Sequence, residues 1–236
     1  MKSWKTIEQY FKEVIYGGID GIVTTFAIVA GFSGASLSTD ATVQLSFALV
    51  LLFGLANLFA DAASMGLGNF LSVRSEQAMY TAERVREELF LQQQPENERQ
   101  ATVIILQHKG FSQADATTLA SIYQHNESYW LDFMMQHKHG IPDSRAENPV
   151  YTGLATFSAF LLFGSIPLLP FMLYEAGSPS FLFQLSIAGT CLALLSLGFL
   201  KWKVVGDKLI SSLSEVILVG GTAAVIAYFV GTWFAS

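Results

Sequence analysis

The stretch Leu55–Leu71, LANLFADAASMGLGNFL, is apolar enough for a lipid bilayer, yet it places Asn57, Asp61, Met65 and Asn69 four residues apart. Side chains at that spacing stack on one face of an α-helix. The stretch therefore reads as a helix with a polar stripe of two amides, a carboxylate and a thioether. Ser64 and Gly68 flank the stripe, while Leu55, Leu58, Phe59, Leu67 and Phe70 make a face suited to lipid or packing. The apolar run extends from about Thr42 to Leu71, more than the ~20 residues a span needs. It is long enough to project beyond the bilayer.

Four further segments have the same character: Val14–Gly34, Val150–Tyr174, Phe181–Lys201 and Leu209–Phe234. Pro167 and Pro170 are expected to kink the third span. Lipid leaves no partner for open strand edges, so runs of this length favour helices. The expected fold is all-α: an integral membrane protein with five transmembrane helices. Residues 1–73 hold an N-terminal segment and spans one and two. Residues 74–148 form a cytosolic helical module between spans two and three, and residues 149–236 hold spans three to five.

Composition agrees. Of 236 residues 52% are hydrophobic and only 14% charged, against about 25% charged in a soluble domain, and the mean hydropathy is +0.43. Most of the charge lies in the one central stretch. A net charge of −6 argues against nucleic acid as a partner. The lone Cys191 excludes a disulfide framework and a cysteine metal site. In Met1–Lys12, Trp4, Ile7, Tyr10 and Phe11 recur at helical spacing with lysines between them. With no small-residue cleavage site, this segment is expected to lie along the membrane surface.

Every Lys and Arg falls in the N-terminal segment, in the module, or in the link around Lys201, Lys203 and Lys208; the loops Ser33–Ala41 and Glu175–Ser180 have none. Positive charge stays on the cytosolic side. The N-terminus and module are therefore expected in the cytosol and the C-terminus outside or in a lumen. A bacterial inner membrane is the expected location, with a vacuolar or other organelle membrane as the alternative.

Within the module, Met79, Ala82, Val85 and Leu89 mark an apolar stripe. Pro95 with Glu96 and Glu98 suits a helix start, Lys109-Gly110 a stop, and Ser112-Gln113-Ala114-Asp115 a capped start. A last helix carries Trp130, Phe133 and Met134 and ends near Gly140.

Charge inside the bilayer points to function. An ionisable group at the membrane centre costs about 2.5–3.5 kcal/mol on insertion scales, and such groups are kept where a substrate or ion uses them. Asp20, Asp61 and Glu215 are the three, and Asp20 shares a face with Thr24. Gly17 and Gly21 let another helix come close. Carboxylate and amide oxygens suit hard divalent ions, and the thioether shifts preference toward iron(II). The same polar residues can also hold helices together by hydrogen bonds. The four histidines, His108, His125, His137 and His139, all lie in the module.

The runs Gly17–Ala27 (GGIDGIVTTFA) and Ser64–Leu71 (SMGLGNFL) resemble the vacuolar iron transporter family, as do Asp132-Phe133-Met134-Met135 and Glu215–Gly231. The resemblance covers nearly the whole chain. It implies a homodimeric, proton-coupled exporter of iron(II), manganese(II) and related ions, with its pathway at the dimer interface. The family's translocation Asp and Met fall on Asp20 and Met65. Its module glutamates and Met pair fall on Glu87, Glu98, Met134 and Met135. Phe90, Ala101 and Lys138 stand where further glutamates are expected, and His137 and His139 are candidate substitutes as ligands. Asn57 stands where many members carry a glutamate, and Asp61, one turn on, is placed to replace it.

The expected metal ligands are thus Asp20, Asn57, Asp61, Met65, Glu87, Glu98, Met134, Met135 and His137. The expected partners are divalent metal ions, protons, the bilayer and a second copy of the chain, with no prosthetic group. A membrane-embedded metal-dependent enzyme and a metal sensor are the alternatives. Against the enzyme, no span has a His pair, a Gly-x-Ser-x-Gly elbow or a Glu-x-x-His motif.

Overall fold

The computed structural model describes residues 2–36, 43–173, 178–206 and 208–235. The expected loops around residues 37–41 and 174–177 lie outside it, as do the side chains of Trp4 and Ile7. Among the described residues every regular element is helical and none is a strand. Five helical stretches are long and apolar enough to cross a membrane: Tyr10–Ser33, Ala48–Gln93, Pro149–Leu173, Ser180–Val205 and Leu209–Trp233.

The chain divides into two compact units, Met1–Phe70 with Val150–Ser236, and Leu71–Pro149. Helix α1 (Lys2–Ser36) runs unbroken from the amphipathic N-terminal segment into span one. No Gly or Pro interrupts Lys12-Glu13-Val14, so one helix propagates where two elements were expected. Helix α2 (Val43–Gln93) is likewise continuous over 51 residues, about 76 Å at 1.5 Å per residue. It contributes to both units.

In the first unit, α1 packs against α8 (Pro179–Val205) and α9 (Leu209–Ala235). One cluster joins Ile22 of α1 to Leu194 and Leu197 of α8 and Val216 of α9. A second joins Val29 of α1 to Leu58 and Ala62 of α2 and Phe160 of α6 (Pro149–Gly164). The expected kink in span three is a break: α6 ends at Gly164, a 3-10 turn covers Ile166–Leu168, and a short α7 follows at Leu169–Leu173. Ser186 Oγ on α8 donates to Pro167 O at 2.8 Å and pins that break.

Gly21 does admit a close helix, but that helix is α6. A Cβ on Gly21 would lie 2.5 Å from Phe160 O, and one on Gly164 would lie 2.9 Å from Gly21 O. This small-residue seam is used within the chain, so it lends no support to pairing of two copies.

The second unit comprises the end of α2 with α3 (Pro95–His108), α4 (Gln113–Gln124) and α5 (Glu127–His137). Pro95 opens α3. Ser112 Oγ caps α4 by accepting from Asp115 N at 3.2 Å. Gly110 and Gly140 adopt the left-handed φ of 97° and 68° that ends a helix. The core gathers Tyr80, Leu91, Leu106, Trp130, Leu131, Phe133, Met134 and Met135.

The expected apolar stripe is not the face α2 buries here. Met79, Ala82, Val85 and Leu89 are exposed, while Val73, Tyr80, Glu87 and Leu91 are buried. The reason is Glu87: the buried face carries a carboxylate whose partners, Lys138 and His139, lie just beyond α5. Hydrophobic periodicity alone selects the opposite face.

Candidate metal pathway

Two contacts and one electrostatic relation fix how α1 and α2 lie against each other. Asn69 Nδ2 donates to Glu13 Oε2, the Asp20 and Asp61 carboxylates lie within electrostatic range, and the Phe32 and Phe53 rings stack at 5.9 Å. As numbering rises along α1 it falls along α2, so the helices are antiparallel with their polar faces opposed. Seven residues of α1 separate Glu13 from Asp20, about 10 Å along the axis. The result is a polar track between two spans, with Met65 one turn from Asp61 and one turn from Asn69.

At one end of the track Glu13 is only 7% exposed. Its Oε2 accepts from Asn69 Nδ2 and from Thr156 Oγ1, the latter at 3.2 Å. Asn69 Nδ2 also donates to Thr156 Oγ1 at 2.7 Å. Among the described residues Glu13 has no basic partner. It is absent from the sequence-derived candidates because it sits just ahead of the expected start of span one. Its position seven residues before Asp20, two helical turns away on the same face, is the signal that could have found it.

At the centre Asp20 and Asp61 are half-buried. The electrostatic neighbour that bears on Asp20 is the like charge of Asp61. Asp61 Oδ2 accepts from Asn57 Nδ2 at 2.6 Å, so Asn57 orients Asp61. Thr24 Oγ1 donates to the main-chain oxygen of Asp20 at 2.8 Å and leaves the carboxylate free of it. Beyond Asn57 an open cleft of about 740 Å³ is walled by Ala27, Ile28, Phe32, Phe53 and Ala56. Asp20, Asn57, Asp61 and Met65 therefore belong to one constellation. Glu215 does not: it is exposed and paired with Lys201, and accepts from Ser211 Oγ at 3.1 Å.

In the second unit Glu87 and Glu98 also come together, but onto an ammonium. Lys138 Nζ lies 3.0 Å from both oxygens of Glu87 and 2.6 Å from Glu98 Oε2. Burial works against the charged Lys138, yet its hydrogen bonds to Glu98 and Glu87 and their charges outweigh it and lift the ammonium above its ordinary value. Met134 and Met135 lie in the core, with Met134 Sδ 3.4 Å from Thr102 Oγ1. That hydroxyl accepts from Trp130 Nε1 at 2.7 Å.

The histidine beside the carboxylates is His139, whose Nε2 is 2.8 Å from Glu87 Oε2. His137 instead stands edge-on to Phe133, ring centroids 4.6 Å apart. Burial, then the charge of Lys109, lowers its pKa. Among the described residues no three His, Cys, Asp or Glu side chains converge as a ready metal cage. An ion in the track would therefore draw on amide and thioether as well as carboxylate.

Five helices long and apolar enough to cross a membrane, with a polar track between the first two, define a multi-pass membrane protein. The chain belongs to the VIT family, whose model matches residues 11–232. It is 37% identical over 234 residues to the vacuolar iron transporter of Toxoplasma gondii, covering 96% of this chain and 75% of that protein. It is 30% identical over 223 residues to vacuolar iron transporter 1 of Arabidopsis thaliana, covering 94% and 85%. It is also 30% identical over 231 residues to the vacuolar iron transporter of Plasmodium berghei, covering 95% and 82%. These relatives are named as transporters, and the membrane-enzyme reading is set aside on that ground.

Proposed function

We propose that the chain carries iron(II), with manganese(II) as a second cargo, out of the cytosol in exchange for protons, along the track between α1 and α2. The observation that carries this is that Asp20 of α1 and Asp61 of α2 lie within electrostatic range of each other in the span region. Among the described residues neither carboxylate forms an ion pair with Lys, Arg or His. Uncompensated charge there costs several kcal/mol, and a divalent cation or protons relieve it. Protons and metal compete for the same oxygens, which is the elementary requirement for exchange.

Met65 adds a softer donor one turn from Asp61, and Asn57 orients the carboxylate. Glu13 and Asn69 form the end of the track nearer Lys12 and Arg74. The positive-inside rule makes that end the cytosolic one and puts the C-terminus outside or in a lumen. The names of the relatives, vacuolar iron transporters, speak for iron as cargo and for an organelle membrane. A bacterial inner membrane would supply the same proton gradient.

A homodimer is part of the proposal. Asp20, Asn57, Asp61 and Met65 are each only half-buried within one chain, and a second copy laid on that face would close the track.

The test is flux into proteoliposomes with an imposed pH gradient, measured for iron(II), manganese(II), calcium and magnesium. Uptake of iron(II) and manganese(II) that rises with the gradient is expected. Metal binding without flux would favour a sensor and defeat the proposal.

A further inference from the structure

Glu87 has a side chain with 0% exposure and Glu98 one with 10%. Carboxylates that deep need a compensating charge and donors for their lone pairs. Lys138 supplies both. An ammonium has three N–H donors, and Lys138 Nζ meets three carboxylate oxygens: both of Glu87 and Oε2 of Glu98. Its remaining side is covered by the Phe90 ring, whose centroid is 5.6 Å from Nζ, a cation–π arrangement. His139 contacts Glu87 Oε2 from another direction and reaches Glu83 Oε1 with Nδ1 at 3.3 Å. Two of the three positions where the family resemblance led to an expectation of acid, Phe90 and Lys138, thus converge on one pair of buried carboxylates. The third, Ala101, packs against the apolar core. The two thioethers are sealed in that core.

We infer that the Lys138 ammonium is the cation this acidic site is built around, so that the module folds and stays closed without metal and takes up no divalent ion at Glu87 and Glu98. A divalent ion entering there would meet a positive charge whose donors already occupy the oxygens it needs. The choice of metal then falls to the membrane track. This inference concerns the module alone and does not rest on the transport reading.

The experiment uses the full chain in nanodiscs with 13C-methyl-labelled methionine, and manganese(II) as a paramagnetic probe. The six methionines include Met65 in the track and, in the module core, Met135 and Met134, whose main-chain oxygen accepts from Lys138 N. In the wild type, Met134 and Met135 methyl signals are expected to stay sharp as manganese(II) is raised, and to be unmoved by EDTA. In Lys138→Ala they are expected to broaden at a manganese(II) concentration at least tenfold lower.

Broadening of Met134 and Met135 in the wild type at the concentration that broadens the variant overturns the inference. So does a folded Lys138→Ala variant whose signals stay sharp. Should that variant fail to fold, the wild-type titration and EDTA arm decide alone. Met65 reports separately: its broadening supports metal in the track, and its silence counts against the transport reading without touching this one.

Discussion

Replacing Asp20 by Asn removes one charge from span one and keeps the shape of the side chain. If Asp20 were there to hold helices together, the change would cost a hydrogen bond. The carboxylate instead lies within electrostatic range of the like charge of Asp61, and Thr24 bonds the main chain rather than the side chain. A charge at the bilayer centre costs about 2.5–3.5 kcal/mol. Asp20 is only half-buried, so roughly half of that, ~1–2 kcal/mol, should return to the folded state, with relief of the repulsion from Asp61 acting in the same direction. For a chain of this size that is a rise of about 2–8 °C in Tm.

Flux should move the opposite way. Losing one of two anionic ligands removes a charge-assisted contact worth about 1.5–3 kcal/mol, a fall in metal affinity of at least about tenfold. The paired assay is a thermal melt in detergent and iron(II) flux in proteoliposomes from one preparation. A variant that melts lower than wild type and still carries metal would mean that Asp20 is a helix linker, and the reasoning about unpaired charge would be wrong.

Four further outcomes are expected. Lys138→Ala leaves Glu87 and Glu98 without their ammonium and should destabilise the module by about 2–4 kcal/mol, discounted from the figure for a fully buried pair because Lys138 is partly exposed; denaturant unfolding followed by Trp130 fluorescence measures it, and an unchanged midpoint would deny the pair any part in stability. Glu13→Gln keeps the bonds to Asn69 and Thr156 but loses the charge, so KM for metal should rise several-fold with a smaller change in maximal rate; an unaltered KM takes Glu13 off the path. Gly21→Leu forces α6 away from α1 at Phe160 and should cost about 1–3 kcal/mol or more, read as a lowered melt; an unmoved melt would contradict the close approach of those helices. His137 has its pKa lowered by burial and then by Lys109, so folding favours the neutral ring. Its contribution to stability is complete above its ordinary pKa near 6.5 and is drawn down as the pH falls below that value; His137→Phe should flatten the acid side of the stability profile, and an identical slope would place His137 elsewhere.

The sequence by itself determined the helical membrane body, because insertion into lipid depends on the length and hydropathy of each segment alone. It also determined the stripe of Asn57, Asp61, Met65 and Asn69, because spacing within one helix is a local property. The tertiary structure alone decided what those residues face. Glu13 reaches Asn69 across 56 positions, and Gly21 meets α6 rather than another copy. Helix α2 turns Glu87 inward and leaves Met79, Val85 and Leu89 exposed, since Lys138 and His139, 51 and 52 residues further on, supply the partners a buried carboxylate requires. Partners that far apart in the chain leave no periodic mark in the sequence, so the choice between an apolar face and a charged one is made only when the helices come together.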